Sequence, residues 1–546
     1  MTPIKSECGG PRKRSDTLII EFYASTRRDQ IFAFAASYFS APEQYVIATP
    51  ENSSTDAPSA AASTSDSADA LRARHGERYK WLLLITVMAG SMGSFMASTI
   101  ASVAVPNISL DFHIGQDRTQ WVASAFMVSM LPAHLLAPWL LARFGLRHTF
   151  VAAILIMMAA GIGAAFSGSF TLLIAMRVIE GAAAGILQPL PNIVIARAFA
   201  PGEQGRAMGM YGFGAVLAPT SAPTLGGYMI EWFSWRSIFL ASTPFVLIAW
   251  FLARRYLPVT SGFMQAKPLD WLGLSWIALA IVCLLNGLAA FAHGGETISA
   301  WLLVGTALAG FAGFAHYQLR KTDPLLQIRL FTRTQFLFGA VVSFLFGFSI
   351  FAVTYLLPVF LQLALNYTPS NAGLVILPAG IALALCMPIG GRMADSMASR
   401  PLVIAGSLLF ALSTFLTALV DRESSYWAIV AWAIIGRVGF SILHPALLLG
   451  STQGLPRPEM PQALTLAIFL RHLGGAVGVS AAGILLDWRL SVYGVSKTVV
   501  GGNPDAILAA FEECFLFFAA VTLASVFVAW FMKPPQVKST PAPRTA

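Results

Sequence analysis

Two ionisable residues three positions apart, Arg177 and Glu180, interrupt an otherwise apolar stretch (IAMRVIEGAAAG). On a helix that spacing puts both side chains on one face, where they can form an ion pair. A carboxylate beside an arginine in a partly dry cavity has a proton affinity set by its surroundings, so a change of conformation can load and unload a proton. Two roles remain open for the pair. Either Glu180 binds a transported proton and Arg177 tunes its release, or the two form a structural ion pair. His134, His444 and His472 also fall in or near apolar stretches and titrate near neutral pH. Arg437 and Arg471 lie in two further apolar stretches, and Arg471, His472, His444 and Arg437 are candidates for lining a cavity. Glu512 and Glu513 sit near the outer end of the last stretch, where it begins, and are expected to be interfacial.

Such groups need helices that hold them inside a membrane, and the composition supplies those helices. Of 546 residues, 56% are hydrophobic and only 11% charged, with a mean hydropathy of +0.68. A soluble domain carries about 25% charged residues. The net charge of +9 does not indicate nucleic acid, because the cations sit in short breaks between apolar runs. The four cysteines are far apart and outside any metal-ligand or reactive spacing. From Trp81 onward fourteen apolar stretches are long enough to cross a hydrocarbon core of about 30 Å. An even number places both termini on one side. With that side cytoplasmic, its loops and C-terminal tail hold Arg143, Arg147, Arg197, Arg206, Arg254, Arg255, Lys267, Arg320, Lys321, Arg329, Arg333, Arg392, Arg400, Arg457, Lys533, Lys538 and Arg544, while only Arg118, Arg236, Arg422, Arg489 and Lys497 face outward. Positive charge favours the cytoplasm, so one orientation suits every span.

Residues 1–80 differ. They include a Ser-, Ala-, Thr- and Asp-rich tract over 50–70 and an apolar run, Ile31–Phe39, too short to span. The expectation is a disordered cytoplasmic tail or the product of a misplaced start codon. Within the membrane region, Pro138–His148 (PWLLARFGLRH) and Gly391–Pro401 (GRMADSMASRP) are short basic turns in equivalent places once two central spans are set aside. Such an echo suits repeated six-span halves with a substrate site between them. In Gly214–Gly227 (GAVLAPTSAPTLGG), Gly214, Ala218, Ala222 and Gly226 form a stripe of small residues, and Pro219 and Pro223 each remove a backbone donor. The stripe is expected to pack closely against another helix at a half-to-half interface, as a pivot for rocking.

Together with Met96–Pro106 (MASTIASVAVP), Arg177–Gly181 (RVIEG) and Phe469–Gly478 (FLRHLGGAVG), these stretches make the chain resemble the fourteen-span drug:proton antiporter branch of the major facilitator superfamily, from about Ser94 to Asp487. The resemblance implies an all-α polytopic membrane protein with two six-helix halves, 81–254 and 335–532. Two extra central helices with linkers fall in 255–334, and a cytoplasmic tail follows at 533–546. It implies a multidrug exporter rather than an enzyme, driven by a proton gradient with no cofactor and working by alternating access. Gly214–Gly227 resembles the signature of exporters, making Gly214, Pro219, Pro223, Gly226 and Gly227 hinge candidates. Arg143, Gly145 and Arg147 in one turn, and Gly391, Arg392, Asp395 and Arg400 in the other, resemble a cytoplasmic gate. Arg471 matches a family position. Three departures matter: Ala97 stands where the first span usually carries aspartate, Glu180 where glutamine is usual, and Ala142 where the first gate turn has aspartate.

Glu180 is thus expected to replace the missing first-span acid, with Arg177 beside it. The expected partners are an amphiphilic small molecule, protons and membrane lipid, without nucleic acid or metal; an accessory periplasmic adaptor is a further candidate. The expected location is the cytoplasmic (inner) membrane. A dedicated exporter of one metabolite, such as a siderophore or toxin, is the alternative, and a non-transporting sensor a remoter one. No Walker-type loop, His-rich metal box or nucleophile motif favours an enzyme.

Overall fold

The computed structural model describes residues 68–532, apart from 115, 120, 260–267, 293–296, 322–323, 457 and 495–503. Among the described residues there is no strand. This follows from the composition: in lipid, a run of apolar residues can satisfy its backbone only within its own helix. The spanning helices are α1 (Tyr79–Ile100), α2 and α3 (121–144 and 146–165), α4 (Phe170–Leu187, continued by Leu190–Ala198), α5 (Gln204–Trp232) and α6 (Thr243–Tyr256). Two central helices follow, α7 (Trp271–Ala292) and α8 (Thr297–Arg320). The second half comprises α9 (Thr334–Leu363), α10 (Pro369–Ser396), α11 (Ser399–Ala418), α12 (Tyr426–Thr452), α13 (Met460–Val492) and α14 (Pro504–Trp530). Helices α2 and α3 are separated by Gly145 alone, at φ 75° and ψ 172°. That backbone is open to glycine and strained for other residues, so a one-residue turn reverses the chain there.

Twelve described helical stretches are long and apolar enough to cross a membrane. One of these is the α2–α3 pair, which makes two crossings, and α5 is also long enough but rich in Gly, Pro, Ser and Thr. The fourteen expected crossings are therefore all present as helices. Long-range pairs agree with their alternation. On the face carrying the start of α1 and the end of α14, Lys80 pairs with Glu203 at 2.8 Å, and Arg400 lies 4.7 Å from the Trp530 ring. On the opposite face Arg236 pairs with Asp111 at 3.0 Å, and Arg489 pairs with Glu513. We call the first the terminal face.

Residues 68–80 are not the disordered end of a tail. Ala68–His75 is a helix, Gly76–Arg78 a single 3-10 turn, and Leu71 and Tyr79 are buried. The Tyr79 hydroxyl donates to the Tyr256 carbonyl at 3.2 Å, joining this segment to the end of α6. The remainder of the expected tail, 1–67, and the C-terminal tail, 533–546, lie outside the described residues.

Each half has apolar cores of its own; one further cluster joins the first half to Leu448 of α12 and Leu464, Ala467 and Ile468 of α13, and another joins Leu131 and Leu135 of α2 to α7, α8 and α13. The two central helices are tied together at the terminal face. Asp270 accepts from Gln318 Nε2 at 2.7 Å and from the Gly273 amide at 2.9 Å, and it pairs with Lys321 at 2.7 Å. Burial pushes that carboxyl up, but Lys321 and these donors outweigh it and hold it below the usual carboxylate range. Elsewhere α7 and α8 present Trp271, Leu272, Trp301 and Leu302 outward, as lipid-facing helices do.

Candidate functional site

Gly181 and Gly185 let α4 press against the backbone of α2. A methyl group on either would fall well inside contact distance of a carbonyl oxygen, that of Phe126 or of Met130. This approach places Arg177 in a pocket of backbone oxygens. Its Nε donates to Val122 O at 2.9 Å, its Nη1 to Ala97 O at 3.2 Å and to Glu180 Oε2 at 2.8 Å. The guanidinium also lies 4.4 Å from the Phe126 ring and 5.8 Å from that of Phe239, within reach of cation–π attraction. Both Arg177 and Glu180 are 1% exposed. The expected pairing is present, but the expected exposure to a cavity is not: the pair is sealed within the first half. At Ala97 the backbone carbonyl meets the arginine, leaving Glu180 as the carboxylate partner of Arg177 among the described residues.

A second polar cluster bridges the halves. Arg471 Nη1 donates to the His444 ring, 2.7 Å from Nδ1. His444 in turn stacks on Phe440 at 5.3 Å and 6°. The neighbouring His472 lies 5.0 Å, centroid to centroid, from His134 of α2. His134 is fully buried, its Nδ1 2.7 Å from the Met130 carbonyl. Of the four cavity candidates, Arg471, His472 and His444 are thus brought together. Arg437 stands two turns from His444 on α12, donating to Thr354 Oγ1 at 3.2 Å. Gln188, where α4 breaks before Pro189, is a residue that motif spacing missed. It is 2% exposed, and its Nε2 donates to Ser94 Oγ of α1 at 3.1 Å.

The small-residue stripe of α5 is placed differently from its expectation. Gly214 faces Met88 and Met92, and Gly226 faces Ile100 and Val103, so the stripe packs on α1 inside the first half. The helix runs unbroken through Pro219 and Pro223, and the surroundings of Pro223 lie outside the described side chains. Contact with the second half belongs to the other side of α5, where Gly205 meets Gly391, Gly209 and Gly212 meet Met387, and Thr220 meets Gly380. Beyond that point the helices part, and a methyl group at Gly227 or Gly373 would meet nothing within 4 Å. The halves are zipped from the terminal face to mid-depth.

Asp395 closes this zip. Its Oδ1 accepts from the Gly205 amide at 2.6 Å and its Oδ2 from the Arg206 amide at 2.7 Å. The carboxylate of α10 therefore caps the N-terminus of α5, where free amides and the helix dipole favour an anion. The expected arginine partners are not used: Arg392 is exposed, and Arg400 is turned to Trp530. In the first-half turn, Arg147 Nη2 donates to the Arg254 carbonyl at 3.2 Å, and Arg143 is exposed. With Ala142 in place of an acid, that turn offers no carboxylate for an equivalent cap.

Asp395→Asn keeps one acceptor and loses the charge. A hydrogen bond to a charged group contributes about 1.5–3 kcal/mol, so the closed terminal face is destabilised by roughly tenfold in population. Efflux time courses of two chemically different dyes are expected to slow by a similar factor for both. Wild-type rates would reduce Asp395 to a topology signal.

The family model described as Major Facilitator Superfamily matches residues 87–479 and, in an overlapping second match, 339–546. The chain is 29% identical over 419 residues to the multidrug resistance protein B homolog of Mycobacterium tuberculosis, covering 75% of this chain and 77% of that one. It is 27% identical over 481 residues to the lincomycin resistance protein LmrB of Bacillus subtilis, covering 85% of this chain and 98% of that one. Among solved structures, the human organic anion transporter MFSD10 superposes with a TM-score of 0.60 at 16% identity, over 82% of this chain and 99% of that one. This last likeness concerns the fold alone.

Proposed function

The chain belongs to the major facilitator superfamily, and on that premise we propose that it exports amphiphilic, drug-like molecules from the cytoplasm in exchange for protons. Members of this family are membrane transporters, not enzymes. Export of drugs is supported by the relatives named for multidrug and lincomycin resistance. The terminal face, rich in loop cations, is assigned to the cytoplasm, and the membrane to the cell's inner membrane.

The observation that carries the proton-coupled reading is the Arg177–Glu180 pair. A carboxylate buried with a single guanidinium inside a span is costly unless it has a function or an excellent partner. Here the arginine also holds the Ala97 carbonyl of α1, so movement of α1 against α4 changes how well the carboxylate is compensated. With the cytoplasmic side zipped by Asp395, the structure suits the state in which the carrier opens outward. Rocking of the halves would alternate access to the seam between them.

The test is efflux of a fluorescent lipophilic dye from whole cells with and without a proton ionophore. Export collapsing with the ionophore supports the reading, while efflux indifferent to it rules out proton coupling. Failure to move any of several dyes would favour a dedicated exporter of one compound.

A further inference from the structure

We propose that Arg471, with His444 and His472 of the second half and His134 of the first, binds the anionic group of an amphiphilic organic substrate. The inference rests on the exporter reading and names its substrate class.

The charge arrangement carries it. Arg177 is compensated by Glu180, but Arg471 has no carboxylate within ion-pair distance among the described residues. The polar contact of its guanidinium is the His444 ring, and its Nε has no partner. A half-buried guanidinium within a span, with only neutral or basic neighbours, lacks a counter-charge, and that arrangement is unfavourable until an anion supplies one. Arg437, two turns from His444 on α12, also has no carboxylate in ion-pair contact among the described residues, and at an exposed contact it donates to the Thr354 hydroxyl. Tyr211 is the other titratable group near Arg471, and it contributes no acid at neutral pH.

The hydrogen-bonding inventory agrees. His472 Nδ1, His134 Nε2 and Gln188 Oε1 are buried and make no well-formed hydrogen bond; Gln188 and the Ile468 carbonyl approach His134 and His472 only loosely, which leaves bonding capacity that buried polar atoms usually fill with a ligand or water. Two of these, His134 at 0% and His472 at 9% exposure, are almost wholly enclosed. They approach from opposite halves, so the cluster lies on the seam that rocking would open. Aromatic rings flank it: Phe440 on His444, and Phe351 at 5.9 Å from His472. One cationic donor with neutral imidazoles beside apolar faces suits one molecule that has both a carboxylate, sulfonate or phosphate and a hydrophobic body. Glu180, sealed against Arg177, offers nothing to a cationic substrate.

Binding of 11-(dansylamino)undecanoic acid and of its methyl ester, followed by dansyl fluorescence with the full-length protein in lipid nanodiscs, tests this directly. The two probes share a body and differ in charge. Wild type is expected to favour the acid over the ester by about tenfold or more. In Arg471→Gln that ratio should fall to about one, and Arg471→Lys, which keeps the charge, should restore most of it. The ratio cancels any general loss of binding. Should Arg471→Gln fail to accumulate, Arg437→Gln with His444→Gln offers a milder variant, expected to lower the ratio in part. Equal binding of acid and ester by wild type overturns the proposal, as does a preference that survives Arg471→Gln. Because binding needs no gradient, preferential acid binding alongside efflux that ignores the ionophore would refute proton coupling and leave this inference standing.

Discussion

Glu180→Gln is expected to abolish ionophore-sensitive dye efflux, by at least about tenfold, while the amount of protein in the membrane stays near wild type. Glutamine preserves shape and an oxygen facing Arg177 Nη1, but it cannot take up and release a proton. Removing one member of a buried ion pair typically costs about 3–5 kcal/mol, because the other charge is stranded. Here the stranded guanidinium would still hold the Val122 and Ala97 carbonyls and face the Phe126 ring, which softens the loss. Arg177→Ala has no such support: it leaves a carboxylate 1% exposed with no cation, and protein levels should drop. The contrast separates coupling from stability. Quantitative blotting beside the efflux assay reads both, and unchanged ionophore-sensitive efflux in Glu180→Gln would make the pair structural.

The second large effect is expected at Gly391. Its α-carbon approaches the Gly205 carbonyl so closely that a methyl group would fall well inside contact distance, and the same holds in reverse at Gly205. Both obstacles are backbone in helices capped together by Asp395, so neither can swing aside as a side-chain tip would. Gly391→Ala should wedge the terminal face open and lower efflux by about tenfold or more, as overpacking of a close interface costs about 1–3 kcal/mol. Gly202→Ala, where an added methyl meets nothing within 4 Å, serves as a control and should transport normally. A thiol introduced by Met387→Cys, at a position buried against Gly209 and Gly212 in this state, should become reactive to a maleimide once the wedge is in place. Wild-type efflux, with that introduced thiol still unreactive, would refute the wedge.

Much of the architecture was legible because lipid imposes a strict condition on the chain: each crossing must be a long apolar helix, and each loop must surface with its charges. The Arg177–Glu180 pair was legible for a local reason, its spacing of three. What escaped was whatever depends on partners distant in sequence. Asp395 stood out as a charge, yet its partners are amides, which leave no side-chain signal. The arginines beside it were the natural expectation, and they turn elsewhere. Helix α5 carries small residues on two sides, and only packing shows that Gly214 and Gly226 face α1 while Gly205, Gly209 and Gly212 face α10. Gly205 and Gly209 share the four-residue spacing of the other stripe, so the signal was present but ambiguous. The histidines at 134, 444 and 472 have no common spacing, and their meeting at the seam is a product of the tertiary fold. Residues 68–80 read as tail by composition, but Leu71 and Tyr79 are enough to dock them.

The latch at Asp395 has a consequence for which mutations the protein can tolerate. Its donors are the peptide amides of Gly205 and Arg206, which every residue but proline supplies. Replacing the Arg206 side chain therefore leaves both donors in place, whereas the acceptor hangs on a single carboxylate. Random substitution can dissolve the latch from the α10 side at one codon, while the α5 side is nearly immune so long as residue 205 stays small and neither position becomes proline. Inheritance guards the two halves of one bond unequally.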